Sequence, residues 1–529
     1  MNSKTWSLAT ALIAALAALA CTAAPAPGLE VTVEGGTVRG MERHDLRLFR
    51  NIPYAAAPVG ALRWRPPEAP KPWQGVRDAS DFGAYCPQNM GPDRARELAG
   101  YPMSEDCLTV NLWMPAKSTS RRLPVMVWLT PGAFRQGAPQ MKRYDASALA
   151  RQGVIVVTFG YRLGILGQFA HPALSRAQSS EALGNYGLMD MLALLQWVKH
   201  NIAAFGGDPG NVTLFGMSSG GVAVNYLMSL QASDGLFQKA ISESSAIRVS
   251  APRRLAEEVN GVKSLEADGL ALARHFGLDA ADDKIVPALR ALSVDQILEY
   301  QGNPRLFNPG SLNPVVDGRL IVSSVGDVFR AGREQPVPYI SGATTWEGSL
   351  LSFMPTAGPV LAQLNISWAD AARIYGEVDD RTLINNLEFD LFFGSQRYLA
   401  KQHAKAGHPA WLYVFSRVLD AERGKVPGAS HGAEAAYVFQ VLDTIEPPAG
   451  APALAISAAD HDYARLISST WVRFAKRGDP NGSGLVEWPS FARDRDVLLD
   501  FGQEKPVVRE NYEPVRMQYF ENLFETGKM

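Results

Sequence analysis

The stretch Val212-Thr213-Leu214-Phe215-Gly216-Met217-Ser218-Ser219-Gly220-Gly221 is followed at once by an apolar run from Val222 to Leu230. A β-branched and aromatic strand thus enters Gly-x-Ser-x-Gly and leaves it as a helix, the setting of a nucleophile elbow. Such a turn forces strained backbone angles on the serine, and its neighbours must lack bulk for strand and helix to pack closely. Ser218 is the expected nucleophile of a serine hydrolase, set against the plainer reading of a glycine-rich turn. The pentapeptide occurs again as Gly428-Ala429-Ser430-His431-Gly432. Gly424-Lys425-Val426-Pro427 in front of it is no strand, so Ser430 is set aside.

Upstream, Leu188, Met191, Leu192, Leu195, Val198 and Ile202 recur at helical spacing before Gly206-Gly207, and this helix feeds the strand that carries Ser218. Val125 to Leu129 and Val154 to Phe159 are short apolar runs, as expected of strands buried on both faces of a parallel sheet. Val31 to Arg39 alternates around Gly35-Gly36 and reads as a hairpin. Later strands are expected at Val337 to Ser341 and Trp411 to Phe415, with largely helical segments at 251–330 and 355–400 capping the sheet. Glu446 to Pro452 reads as a surface loop. The alternation of strand and helix predicts an α/β layered fold, whose sites assemble in loops beyond the carboxyl ends of the strands.

The 529 residues carry 51 basic and 53 acidic side chains, so nothing suggests an electrostatic footprint for nucleic acid or an anionic membrane; small molecules are the expected partners. Residues 1–24 read as a secretory signal, with Lys4 as its charge and Leu8 to Ala20 as an apolar segment too short to favour a membrane span. Lipid modification of Cys21 is the competing reading. The expected location is secreted or periplasmic. Cleavage beyond Cys21 leaves Cys86 and Cys107 in an oxidising compartment, where pairing is expected over two buried free thiols. Oligomeric state is not legible. The Asn-x-Ser/Thr matches at Asn211, Asn365 and Asn481 are taken as incidental.

A serine hydroxyl needs a base, and on this type of fold the chain order is Ser, then Asp or Glu, then His. His403, His408, His431 and His461 lie downstream. His431 is favoured because glycines and Pro427 mark an irregular loop after a strand, whereas His403 and His461 read as solvated surface residues. For the acid, Glu347 stands just past a strand end, and Asp317 is its rival.

The sequence also resembles the type-B carboxylesterase family, which includes cholinesterases, over nearly the whole chain. Ser104 to Pro115 (SEDCLTVNLWMP) is similar to the family's Glu-Asp-Cys-Leu signature, and Phe205 to Gly221 to its active-serine signature. Asn51 to Trp64, Gly160 to Pro172 and Gly184 to Asp190 are similar to further family blocks. The resemblance implies an α/β-hydrolase fold, with a mostly parallel central sheet covered by helices and helical cap insertions, in a single domain spanning 25–529. It implies a triad of Ser218, Glu347 and His431, an N-terminal disulfide between Cys86 and Cys107, and ester hydrolysis with no metal or organic cofactor. It also places the oxyanion donors at Ser219, Gly132 and Ala133. There the chain departs from the family, having Thr130-Pro131 where His-Gly is usual, and Pro131 offers no N–H.

A second departure is Met217, where the family usually has Glu beside the nucleophile. The change removes negative charge, and Arg135 next to the oxyanion loop adds positive charge. No Trp lies between Cys86 and Cys107, where cholinesterases carry one that helps bind the quaternary ammonium. Neutral or acidic esters are thus expected over choline esters. Met217 merely packing and Arg135 merely facing solvent is the plainer alternative. Phe134, Trp346 and Phe353 are further pocket candidates. Other readings are a non-catalytic, neuroligin-like binding protein, or a lipase or amidase on the same scaffold.

Overall fold

A run that is apolar at every position can be buried on both sides only in the middle of a sheet, and runs of this kind form the centre of the structure. In chain order the strands are β1 (Glu30–Val33), β2 (Gly36–Arg39), β3 (Met41–Arg43), β4 (Leu46–Pro53), β5 (Val76–Asp78), β6 (Thr109–Pro115) and β7 (Leu123–Leu129). There follow β8 (Ile155–Phe159), β9 (Gly207–Met217), β10 (Lys239–Glu243), β11 (Tyr339–Thr344), β12 (Ala410–Phe415), β13 (Val497–Phe501) and β14 (Pro506–Glu510). This computed structural model describes residues 28–117, 121–246, 252–259, 261–278, 282–308, 310, 312–445, 453–492 and 495–527. The expected signal at 1–24, Cys21 and the loop 446–452 lie outside them.

Eleven strands form one sheet in the order β14-β13-β12-β11-β10-β9-β7-β8-β6-β4-β3, and β1, β2 and β5 form a small separate one. From β8 through β7, β9, β10, β11 and β12 to β13 every neighbour is parallel. The antiparallel strands β6, β4 and β3 complete one edge and β14 the other. The two-residue period sorts the core to the two faces. Val125, Val127 and Leu129 of β7 join a cluster with Leu188, Leu195 and Leu227, while Met126 and Trp128 join Phe215, Phe439 and Trp471 on the other side.

Helices cover both faces. Those that bear on the site are α1 (Pro92–Leu98), α2 (Tyr186–Asn201), α3 (Ser219–Ser229), α4 (Asp380–Lys405), α5 (Ala433–Phe439) and α6 (Ala458–Arg477). α4 is capped by the Asp379 carboxylate, which accepts from the Thr382 amide at 3.0 Å. α6 starts in a reciprocal Ser457–Asp460 capping box and stops at Gly478, whose φ of 76° suits glycine. Among the described residues no helix is long and apolar enough to cross a membrane.

Two expectations shift. The strand expected from Val337 begins at Tyr339, because Pro336 and Pro338 have no amide hydrogen to give a ladder. Residues 251–330 are less helical than expected. The helices Leu265–His275, Asp282–Ala291, Val294–Gly302 and Val325–Arg330 are separated by segments rich in Asn-Pro and Asp-Gly turn signals, such as Asn313-Pro314 and Asp317-Gly318. At 355–400 helix dominates, as expected.

Cys86 and Cys107 are joined in a disulfide that closes a loop of sequence separation 21. Replacing both by Ala should lower unfolding stability by about 3 kcal/mol through the freed denatured chain. The denaturant midpoint, measured against the oxidised parent, checks this.

Candidate active site

The parallel register aligns strand ends on one edge: Met217 of β9 faces Glu243 of β10, Glu243 faces Gly342 of β11, and Gly342 faces Tyr413 of β12. The segments leaving β9, β11 and β12 therefore emerge side by side. Ser218 is the residue between β9 and α3, with φ 56° and ψ −125°, a conformation that L-residues rarely adopt. Its amide donates to the Glu243 carbonyl at 2.9 Å, and its carbonyl accepts from the Val222 amide at 2.9 Å, so both sides of the turn are fixed. A Cβ on Gly220 would lie 1.9 Å from the Leu129 carbonyl oxygen, and one on Gly216 would lie 2.7 Å from the Gly220 backbone. Only glycine lets helix, elbow and β7 approach this closely.

Glu347 opens the turn after β11 and is fully buried. One carboxylate oxygen accepts from the Thr344 amide at 2.9 Å and the other is hydrogen-bonded to Nδ1 of His431. His431 lies in the connection from β12 to α5. Its amide donates to Ser349 Oγ at 2.9 Å, the Trp346 amide donates to the Ala429 carbonyl at 2.8 Å, and the Phe392 ring meets the imidazole edge-on at 5.2 Å. The imidazole is thus held on three sides. Its Nε2 is buried and has no hydrogen-bond partner among the described residues. Met217 lies against Gly432, where an added Cβ would be 2.4 Å from Met217 Cε. The residue before Ser218 therefore packs on the residue after His431. The Ser218 side chain makes no capping hydrogen bond to α3.

The imidazole sits among carboxyl groups. Burial alone would push its pKa down, but Glu347, then Glu434 and Glu388, outweigh burial and hold it above the usual histidine value. Burial raises Glu434 to about 7, helped by Glu347, although the Ser244 hydroxyl donates to it at 2.6 Å. Glu388 of α4 is likewise raised to about 7, by burial and then by Glu347. Beneath them Glu243 is raised to about 8 by burial and by Glu434, while accepting from Trp471 Nε1 at 2.6 Å. None of these three was singled out from sequence. Glu434 stands three residues after His431, in His431-Gly432-Ala433-Glu434, and could have been noticed there, whereas Glu388 lies inside a helix with no motif around it.

Following β7, Gly132, Ala133 and Phe134 have φ of 132°, 56° and 55°. The Gly132 carbonyl accepts from Arg135 and Gln136 at 3.0 and 3.1 Å, closing a tight turn. A Cβ at Gly132 would lie 1.8 Å from the Gln136 carbonyl oxygen. Among the described residues the amides of Gly132, Ala133 and Ser219 have no acceptor. Ser219 is also the first residue of α3, where helix amides are unpaired and the dipole is positive. Gln88, inside the disulfide loop, braces this turn, donating to the Gly137 carbonyl at 3.0 Å and accepting from its amide at 2.7 Å.

Of the pocket candidates, Phe134 and Trp346 are half-buried, and Trp346 Nε1 donates to Asn385 of α4 at 3.1 Å. Arg135 is half-buried and Met217 packs against the core cluster behind it. Phe353 is 78% exposed. Leu351 and Met354 turn inward onto the core, and Arg381 clamps the carbonyls of Leu351, Ser352 and Met354, which sends the Phe353 ring outward. Asp317 serves its own turn, accepting from the Ile321 amide at 2.7 Å. His403 is no solvated residue: it is fully buried on the inner side of α4, with Glu334 Oε1 and the Val337 carbonyl each 2.8 Å from a ring nitrogen. His461 is half-exposed in the first turn of α6.

Because Glu388 raises the affinity of His431 for a proton, Glu388→Gln should lower it. The acid limb of the kcat/KM profile against pH should then move to lower pH, since the imidazole stays neutral further down. An acid limb that stays in place or moves upward would show that Glu388 does not act on the imidazole.

The Carboxylesterase family profile matches residues 27–371 and 360–520. The chain is 35% identical to the fumonisin B1 esterase of Sphingopyxis macrogoltabida, over 90% of this chain and 87% of that one. It is 33% identical to the para-nitrobenzyl esterase of Bacillus subtilis (strain 168), over 93% and 98%. A solved PNB esterase structure superposes with a TM-score of 0.80 at 30% identity, covering 93% of this chain and 99% of the other. With a mostly parallel sheet, a strained serine turn and these relatives over nearly its full length, the chain belongs to the carboxylesterase family and is a carboxylic ester hydrolase.

Proposed function

We propose that this chain is a secreted, single-domain serine carboxylesterase that cleaves neutral or acidic esters, not choline esters, through an acyl-enzyme. One observation carries the assignment of the site: the imidazole of His431 is fixed by Glu347 through Nδ1 and keeps Nε2 buried and unpartnered beside the elbow of Ser218. A base aligned in this way needs only a hydroxyl or a water in front of Nε2. Hydrogen bonds of this kind commonly tighten only when substrate is bound.

In the first half-reaction Ser218 Oγ attacks the ester carbonyl while His431 Nε2 takes its proton. Glu347 holds the imidazole by Nδ1 and stabilises the imidazolium. The amides of Ser219, Gly132 and Ala133 receive the developing oxyanion, a role supported by their having no other acceptor. Pro131 supplies no donor, and the turn at Gly132 supplies two without it. The imidazolium then returns the proton to the departing alkoxide. In the second half-reaction water loses a proton to His431, attacks the acyl group, and the acid leaves with Ser218 restored.

The substrate class follows from charge. Met217 presents a thioether where a carboxylate would attract a cation, and the half-buried Arg135 follows the oxyanion turn directly. Secretion is supported by the N-terminal sequence and by the Cys86–Cys107 disulfide. A non-catalytic binding role fits poorly with a strained serine beside an oriented histidine. Lipase or amidase activity differs only in the pockets, and a chain-length series of esters separates a lipase from a short-chain esterase.

A fluorophosphonate probe should label the protein, and Ser218→Ala should abolish both labelling and turnover. Glu347→Gln should lower kcat on the order of 10⁴-fold, by losing the orientation of the imidazole. Labelling that survives Ser218→Ala would refute the assignment. Against matched substrates, kcat/KM for a choline ester should fall below that of its uncharged isostere; a clear choline preference would rule out the substrate class.

A further inference from the structure

Arg94 lies on α1 inside the disulfide-closed loop, and Arg135 lies two residues past Ala133, so its Cα is within about 7 Å of the Ala133 Cα. The two segments are held together. Besides the Gln88 bonds to Gly137, Glu97 of α1 accepts from the Lys142 amide at 2.7 Å and pairs with Arg143 at 3.6 Å. Arg94 sits on this same short helix and faces Tyr144, whose ring packs on Trp128 and Phe439. Arg94 and Arg135 are both half-buried. Among the described residues neither makes an ion pair or a side-chain hydrogen bond, and the Nε of Arg135 is buried with no acceptor. Glu97, whose charge acts on Arg94, is engaged with the Lys142 amide and Arg143.

Burial of an arginine without an anion is unfavourable, and placing a second one nearby is more so. Burial pushes both guanidinium groups below their usual value, and for Arg94 the charges of Arg143 and Arg135 add to the effect. Such an arrangement is relieved by an anion from outside. A carboxylate matches it well, because two guanidinium groups can each offer paired N–H donors to its two oxygens. Met217, on the wall next to Ser218, adds no negative charge to oppose this.

We propose that Arg94 and Arg135 form a carboxylate-binding subsite beside the oxyanion turn, and that the preferred substrate is an ester bearing a second, ionised carboxylate. The inference rests on the esterase reading above and sharpens it from neutral or acidic esters to acidic ones. The chemistry is the same for a carboxylate on the acyl half or on the alcohol half, and the two pairs below tell them apart.

The test uses the full-length enzyme and two matched pairs. On the acyl side a glutarate monoester is compared with the glutaramate ester, in which an amide replaces the free carboxylate. On the alcohol side an acetate ester of glycolic acid is compared with that of glycolamide. In one pair the carboxylate member should show a kcat/KM about tenfold or more above its amide, and the ratio should shrink as salt is raised. Arg94→Gln and Arg135→Gln should each collapse the ratio, and Arg135→Lys should keep part of it. Should a variant fail to fold, the parent enzyme still decides: glutarate should inhibit competitively and more tightly than glutaramide.

Equal rates for carboxylate and amide in both pairs, or a preference that survives the double substitution, would overturn the subsite. Fluorophosphonate labelling of Ser218 keeps the two readings apart. If the serine is labelled and neutral esters are cleaved without carboxylate preference, only the subsite falls. If the serine is not labelled, the catalytic assignment falls with it.

Discussion

The backbone at Ser218 is held at φ 56° and ψ −125° because strand β9 and helix α3, both packed into the core, fix the two ends of the turn between them. A residue in such a conformation costs about 1–3 kcal/mol and persists only where the surroundings over-determine it. Here they do. The amide and carbonyl of Ser218 are both bonded, glycines at 216 and 220 permit contacts that any side chain would break, and the strand and helix on either side are buried. The strain leaves the serine side chain at the tip of the turn and the Ser219 amide without a partner. In the proposed mechanism one constraint thus prepares a nucleophile and an oxyanion donor together.

Around that tip charge is separated. On the side of β10, α4 and α5 lie Glu243, Glu388 and Glu434, raised to about 8, 7 and 7 by burial first and then by a neighbouring carboxyl group, Glu434 for Glu243 and Glu347 for the other two. Carboxyl groups crowded into a medium of low dielectric cannot all ionise, so they release protons over a range instead of at one value. On the side of the oxyanion turn stand Arg94 and Arg135, which make no ion pair among the described residues. The imidazole lies between a set of acids that favour its charged form and a wall that favours negative charge in a ligand.

Much of this was legible in the chain. Strands β7 and β12 announce themselves as apolar runs, β8 and the second half of β9 as runs broken only by a threonine, since burial on both faces leaves little room for polar residues, and the elbow is legible because its glycines have no substitute. The ends of strands were less so: β11 starts two residues later than the expected Val337, because Pro338, counted as strand, has no amide hydrogen to give. His403 was misread from Lys401 and Lys405 beside it, which face away while the histidine turns inward. Burial along α4 does not keep to one stripe, because Leu387, Glu388, Phe389 and Asp390 are buried in succession and so are Phe392 to Gln396. Glu388 is therefore invisible without coordinates. The meeting of Arg94 with Arg135 depends on a loop folding back, which no local pattern encodes.

The groups proposed to act on the carbonyl of a substrate come from segments near 132, 218, 347 and 431, and Glu347 and His431 alone are 84 residues apart. On a ribosome the imidazole joins only after about four-fifths of the polypeptide has been made. On the proposed mechanism a nascent chain therefore carries its serine without its base until the later strands of the sheet have been made.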